Sequence, residues 1–194
     1  MTNMKGKVAL VTGASRGVGK GVALELAESG AVVYVTGRSI TEGIFAASKR
    51  IITVRCDHTD DQDVESVFKR VMKEHGRLDI LVNNVWGGYE NMVEDGVFTW
   101  TQPFWKQPLW RWNAMFAAGV RAHYVASAHA AQLMVEQRSG LIVNISFWAA
   151  KKYVGNVVYG VSKAATDKLT ADTAHELRNH NVAVVSLYSG AGEN

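Results

Sequence analysis

The chain has 194 residues and a single cysteine, Cys56, so no disulfide can form within it, and a reducing compartment suits it. A lone thiol of this kind reads as a small buried hydrophobe. Long hydrophobic runs are also missing: no apolar stretch approaches the roughly 18 residues that a membrane span needs. Residues 1–7 lead straight into a short strand-like run without the apolar centre of a secretory signal, which makes the cytoplasm the expected location. Nor is there an excess of charge of one sign. The formal net charge is +3 with 20% charged residues, and Lys and Arg are scattered rather than gathered in an arm or stripe, which argues against a nucleic-acid partner. The six histidines form no compact ligand set with cysteine or carboxylates. Even His175-Glu176 and His180 read as exposed helix-end residues, and no metal is expected.

What is present is an apolar content of 47%, enough for one globular domain with a substantial core. Short β-rich runs at 8–12, 31–36, 51–55, 80–83, 141–146 and 182–187 alternate with helix-like stretches. A first helix is predicted over 16–29, with Val22, Leu24, Leu26 and Ala27 partly toward the sheet and Gly30 ending it. A second helix runs from the acidic Asp60, Asp61 and Asp63 to His75, where Val64, Val67, Phe68 and Val71 recur at helical spacing before Gly76. Alanine-rich helices follow over 114–135 and 162–178. The pattern is α/β: a Rossmann-type doubly wound parallel sheet with helices on both faces, in a single domain.

The first strand enters Thr12-Gly13-Ala14-Ser15-Arg16-Gly17-Val18-Gly19 just before a helix. Glycine lets the backbone turn tightly and approach a pyrophosphate, whose charge meets the free N–H groups of the helix start. Spacings of four then two differ from G-x-G-x-x-G, so an ordinary glycine-rich loop is the competing reading, and the strand-turn-helix context favours phosphate binding. The second strand ends at Thr36-Gly37-Arg38-Ser39, with no carboxylate for a ribose 2′-hydroxyl. Arg38, with Arg16 opposite, suits a 2′-phosphate, which favours NADP(H) over NAD; a solvated surface charge is the plainer reading of Arg38.

Tyr159 and Lys163 stand four residues apart at a helix opening, on one face. A nearby positive charge favours a phenolate, so Tyr159 is a candidate acid/base for a carbonyl or alcohol oxygen, and Lys163 would also reach the nicotinamide ribose. Ser146, at the end of a strand 13 residues before Tyr159, is the candidate to hold the substrate oxygen.

Taken together, the phosphate turn, Asn83-Asn84 after the fourth strand, Ser146, and Tyr159 with Lys163 resemble the short-chain dehydrogenase/reductase family over nearly the whole chain. The resemblance implies a hydride-transferring oxidoreductase with catalytic Ser146, Tyr159 and Lys163. It also implies that Asp57 and His58 flank the adenine and that Asn83 stabilises the central strand near the cofactor. The expected cofactor-binding set is then Gly13, Ser15, Arg16, Gly17, Val18, Gly19, Arg38, Asp57, His58, Asn83, Tyr159 and Lys163. Association through the two long helices into a homodimer or homotetramer follows from the resemblance too. Asp167-Lys168-Leu169 and Ala174-His175-Glu176-Leu177-Arg178 resemble one branch within the family.

The chain departs from the family at several places. An asparagine that helps a water-mediated proton relay is replaced by Gly119. Counted back from Tyr159 the family serine is Ser146, whereas counted forward from Gly140 the position falls on Phe147; Ser146 is taken because a phenyl ring cannot donate a hydrogen bond. Between Arg38 and Ile51 only a stub of a crossover helix fits. A single domain over 1–194 is expected; the substrate-covering loop and final strand that follow in the family are not in it, either because this is a shortened form or because stretches of the natural chain are missing from the sequence, and Ser189 stands where proline is common. Trp86, Trp100, Trp105, Trp110 and Trp112 crowd one segment, either as a wall for a bulky apolar substrate or as anchors of a long loop or a subunit interface. Two functions therefore compete: an NADP-dependent reductase or dehydrogenase for a small carbonyl or alcohol, and a catalytically silent dinucleotide-binding regulatory or scaffolding protein.

Overall fold

In β1 (Val8–Val11), Val8 and Leu10 turn toward one face of a sheet and Ala9 and Val11 toward the other, so a strand of four apolar residues is covered on both sides. The computed structural model describes residues 3–189. Each neighbouring strand repeats this alternation. β2 (Val32–Gly37), β3 (Ile51–Arg55), β4 (Ile80–Asn83), β7 (Gly140–Ser146) and β8 (Val182–Tyr188) join β1 in one sheet of order β3-β2-β1-β4-β7-β8, with every pair parallel. A hairpin of β5 (Val93–Glu94) and β6 (Val97–Phe98) stands apart from it.

Against one face lie α2 (Asp61–His75), α4 (Ala122–Gln137) and the end of α5 (Val157–Leu177), which bring Val64, Phe68, Ala126, Met134 and Leu177 onto Leu10, Tyr34, Leu81 and Ile142. The other face is covered by α1 (Gly17–Glu28) and a single 3-10 turn, Glu42–Phe45, the expected stub. The buried edge of α1 is Ala23 and Ala27; Val22, Leu24 and Leu26 are only partly covered, because the small residues let the helix lie close on the sheet. Cys56 is fully buried, as its composition suggests, and burial pushes its thiol up to about 12.

The stretch expected as a helix over 114–135 begins earlier. α3 (Leu109–Met115) runs into a π-helical turn, Phe116–Arg121, before α4. Gly119 sits inside that wider turn, and such turns gather at functional sites. Strand order reverses between β1 and β4, so the crevice at their carboxyl ends is where an open α/β sheet takes its ligand. Among the described residues, no helix is long and apolar enough to cross a membrane.

Candidate active site

The phosphate turn leaves β1 at Thr12, whose hydroxyl accepts the backbone N–H groups of Asn84 (2.9 Å) and Val85 (3.1 Å). Asn84 returns the tie: its amide donates to the carbonyls of Thr12 at 3.0 Å and Gly13 at 2.9 Å. This lashing explains two of the glycines. Gly13 has φ +64° and a Cβ there would lie 2.6 Å from the Cα of Val85, while a Cβ on Gly19 would lie 2.3 Å from Asn84 Nδ2. Gly17, at φ +58°, meets nothing within 4 Å and opens α1, whose first N–H groups receive no side-chain cap from Arg16. Orphan donors at a helix start, with glycine backbone in front of them, fit a pyrophosphate.

Beside this turn is a cleft of about 280 Å³ whose lining includes Gly13, Ser15, Arg16, Arg38, Asp57 and His58. Six of the twelve predicted cofactor residues therefore meet there. Val18 is exposed on the first turn of α1. Asn83 is buried inside the sheet, where its amide donates to Asn144 Oδ1 (2.8 Å) and Ser127 Oγ (2.9 Å); its neighbour Asn84 lines the cleft instead. His58 and His123 correct the expectation of exposed histidines. His58 is buried with Nε2 2.8 Å from Thr36 Oγ1, and His123 donates from Nε2 to the Val85 carbonyl at 3.0 Å. Burial brings their pKa values down to about 4 and about 3. Arg38 is not an isolated surface charge: it donates to Glu90 at 3.2 Å, and Glu90 also accepts the Gly88 N–H.

Tyr159 and Lys163 share a face of α5, whose start is fixed by Asn156 accepting the Tyr159 N–H at 3.0 Å. Lys163 donates to the Ile145 carbonyl at 3.1 Å, and its Nζ lies 3.7 Å from the centroid of the Trp86 ring and 5.8 Å from that of Tyr159. Burial lowers Lys163 to about 7, against the raising effect of Asp167. Tyr159 moves the other way: burial and the neighbouring Tyr89 push its phenol above the usual range, overriding the simple expectation of a lysine-lowered phenol. Four rings surround it, Trp100 at 5.5 Å, Trp86 at 5.6 Å, Phe147 at 5.9 Å and Tyr89 at 6.2 Å between centroids.

The structure does not bring Ser146 into this group. It shares a strand face with Asn144, whose amide donates to Thr170 of α5, and its hydroxyl is buried with no hydrogen-bond partner among the described residues. Phe147 lines the open cleft beside Tyr159, with Tyr89, Met92, Phe98, Trp100 and Val154. The next residue along the chain takes the wall position, and the expected oxygen-holding hydroxyl is turned away.

Over residues 7–193 the chain matches the family model described as short chain dehydrogenase. The chain belongs to the short-chain dehydrogenase family. It is 44% identical over 96% of its length to the human protein named dehydrogenase/reductase SDR family member 1, and spans 61% of that relative. The branch pointed to by Asp167-Lys168-Leu169 and the stretch at 174–178 is therefore the right one. A metagenomic short-chain oxidoreductase crystallised in complex with NADP superimposes with a TM-score of 0.83 at 31% identity, covering 98% of this chain and 85% of that one. A short-chain dehydrogenase from Streptomyces avermitilis gives 0.84 at 29% identity, covering 95% and 65%.

Within this short-chain dehydrogenase, the five tryptophans take different places: Trp86 and Trp100 pack against Tyr159, Trp110 anchors the loop through its Nε1 hydrogen bond to Glu94 at 2.6 Å, and Trp105 and Trp112 are exposed. The loop is centred on Arg111, which sequence reasoning passed over. Its fully buried guanidinium donates to the Asn91 carbonyl (3.1 Å), to Thr99 Oγ1 (2.8 Å) and to Gln107, and packs on Trp100 and Trp110. Asn156 ties the loop to the start of α5 by donating to the Trp100 carbonyl at 2.9 Å.

Proposed function

We propose that the protein is an NADP(H)-dependent oxidoreductase acting between a carbonyl and an alcohol, with Tyr159 as the general acid/base. The observation that carries this reading is that Tyr159 lines a cleft which shares Arg16 and Tyr89 with the neighbouring cleft at the uncapped start of α1, with Lys163 buried one turn along the same face of α5. Arg16 and Ser15, together with the free N–H groups of Gly17 and its neighbours, would hold the pyrophosphate, and Arg38 would hold a 2′-phosphate. When bound, the cofactor supplies or accepts the hydride.

Tyr159 donates its phenolic proton to the substrate oxygen in reduction and takes one from the alcohol in oxidation. Burial keeps that phenol protonated, the form a reductase uses. Lys163 presents its ammonium one turn along the same face and stabilises the phenolate left behind. Ser146, expected to orient the oxygen, has its hydroxyl buried; at this end of the cleft the polar groups beside Tyr159 come from the Tyr89 phenol, and Phe147 excludes water. Met92, Phe98, Trp100 and Val154 make the remaining wall apolar, which suits a bulky apolar ketone, aldehyde or secondary alcohol. Self-association through α4 and α5 belongs to the same proposal.

The test is NADPH consumption over a panel of aldehydes, ketones and quinones, with NADH as the control, for the wild type and Tyr159→Phe. Turnover with NADPH that falls at least a hundredfold in Tyr159→Phe, with cofactor binding kept, supports the assignment. Tight NADPH binding with no turnover across the panel supports the silent dinucleotide-binding reading instead.

A further inference from the structure

Trp86 is placed in a way that its position after β4 does not by itself require. Its ring lies face-on to the Lys163 ammonium at 3.7 Å and edge-on to Tyr159, with an interplanar angle of 86°. The space it fills exists only because residue 119 is glycine: a Cβ there would lie 2.4 Å and 2.6 Å from two atoms of the six-membered part of the indole. The following residue is pressed just as closely, since a Cβ on Gly87 would lie 2.9 Å from the Ala114 carbonyl oxygen. Trp86 Nε1 is buried without a hydrogen-bond partner among the described residues, a cost that the packing of the ring offsets.

Lys163 is the group that gains. It is 5% exposed, and its described hydrogen bond is to a single carbonyl, that of Ile145. No carboxylate lies within ion-pair distance of it among the described residues. Two of the three ammonium donors are left over from that bond, and the ammonium faces the Trp86 ring. The titratable groups that bear on it are Asp167 on its own helix, His123 on α4 and Tyr159 one turn back. A cation over a desolvated indole is a favourable contact, strongest for tryptophan.

We propose that Trp86 is a positioning residue for Lys163: its indole face, seated in the gap left by Gly119, offsets part of the cost of burying the ammonium and keeps it aimed along the face that carries Tyr159. The pair Trp86 and Gly119 thereby takes over a task that a polar side chain at position 119 would share with water. The proposal rests on the reading of Tyr159 and Lys163 as the proton-handling pair, and its test has a readout independent of turnover.

That readout is the titration of Lys163 Nζ by NMR in the wild type, Trp86→Leu and Trp86→Phe, with melting temperature as the control for folding. A desolvated cation–π contact of ~2 kcal/mol corresponds to roughly thirtyfold in an equilibrium. The Lys163 midpoint should therefore fall by more than one pH unit in Trp86→Leu and by much less in Trp86→Phe, which keeps a ring. NADPH-dependent kcat should fall at least tenfold in Trp86→Leu and recover largely in Trp86→Phe. Gly119→Ala should lower kcat in the wild type but not in Trp86→Phe, whose smaller ring leaves room for the Cβ. An unchanged Lys163 midpoint in Trp86→Leu, or an equal loss in the leucine and phenylalanine variants, overturns the proposal. A shifted midpoint in a protein that shows no turnover at all leaves the positioning intact and overturns the reductase reading.

Discussion

Replacing Arg111 by methionine tests whether the aromatic wall is held from behind. The substitution keeps the length and apolar bulk of the side chain and removes the charge. It strips donors from the Asn91 carbonyl, from Thr99 and from Gln107, and it removes the cation from the Trp100 and Trp110 rings. Each buried acceptor left without a partner costs about 1–3 kcal/mol, and the ring contacts add roughly 0.5–1 kcal/mol, while relief from burying the guanidinium returns part of this. The net is about 3 kcal/mol against the closed loop, a shift of roughly 150-fold in its opening equilibrium. The loss should be local, because the β1–α1 turn and the sheet make none of these contacts. Trypsin cleavage after the exposed Lys106, at 25 °C, is the assay: the rate should rise on the order of a hundredfold. NADPH affinity should stay within about threefold of the wild type, and kcat/KM should fall at least tenfold. Cleavage within threefold of the wild type, together with unchanged kcat/KM, would show that the loop does not depend on Arg111.

Glu90→Gln should release Arg38 from its exposed ion pair and tighten NADPH binding two- to fivefold, the worth of a surface pair, without changing NADH; equal tightening of both cofactors in a fluorescence titration would refute the competition. His58 gives a pH prediction. Its folded value, about 4, lies below the ordinary 6.5, so the unfolded chain binds the proton first and stability is lost as pH falls from 6.5 through 4. The contribution is roughly 3 kcal/mol, and His58→Gln, which can still pair with Thr36, should flatten that part of a urea-midpoint profile between pH 7 and pH 4; an identical profile in both proteins would rule it out.

The layers of this fold were legible because they depend on short-range periodicity. β1 and β4 are apolar on both faces, and α2 carries Val64, Val67, Phe68 and Val71 on one stripe between an acidic start and Gly76, which takes φ +66°. The glycine-rich turn into α1 and the shared face of Tyr159 and Lys163 were legible for the same reason, since each is set by spacing within one element and its adjoining turn. The hairpin at 93–98 was within reach: Asp95-Gly96 takes positive φ at both residues, the usual signal of a two-residue turn. Arg111 was not, because its partners are backbone oxygens and rings brought together only when the loop closes. The burial of His58 and His123 was hidden likewise, since their partners, Thr36 and the Val85 carbonyl, lie 22 and 38 residues away.

Ser146 shows where reading by spacing fails. Two counts, one from each end of the same connection, differed by one residue, and on a strand one residue is the difference between the two faces. Chemistry chose Ser146 because it can donate a hydrogen bond, but the backbone buries that hydroxyl and gives Phe147 to the cleft. The choice assumed a site built from polar groups, whereas this one is built from rings. Phe147 stands in the wall beside Tyr159, Trp86 fills the gap at Gly119, and Trp100 and Tyr89 complete the enclosure. On the proposed reading, an aromatic enclosure of this kind leaves the polarising of a carbonyl to Tyr159, with the Tyr89 phenol beside it and Lys163 behind it. A site with one strong donor and a dry wall should discriminate among substrates by the shape of their apolar part more than by further polar groups. Affinity should then rise with the apolar area of the ketone, by about 0.8 kcal/mol for each methylene that reaches the wall at Met92, Phe98 and Trp100.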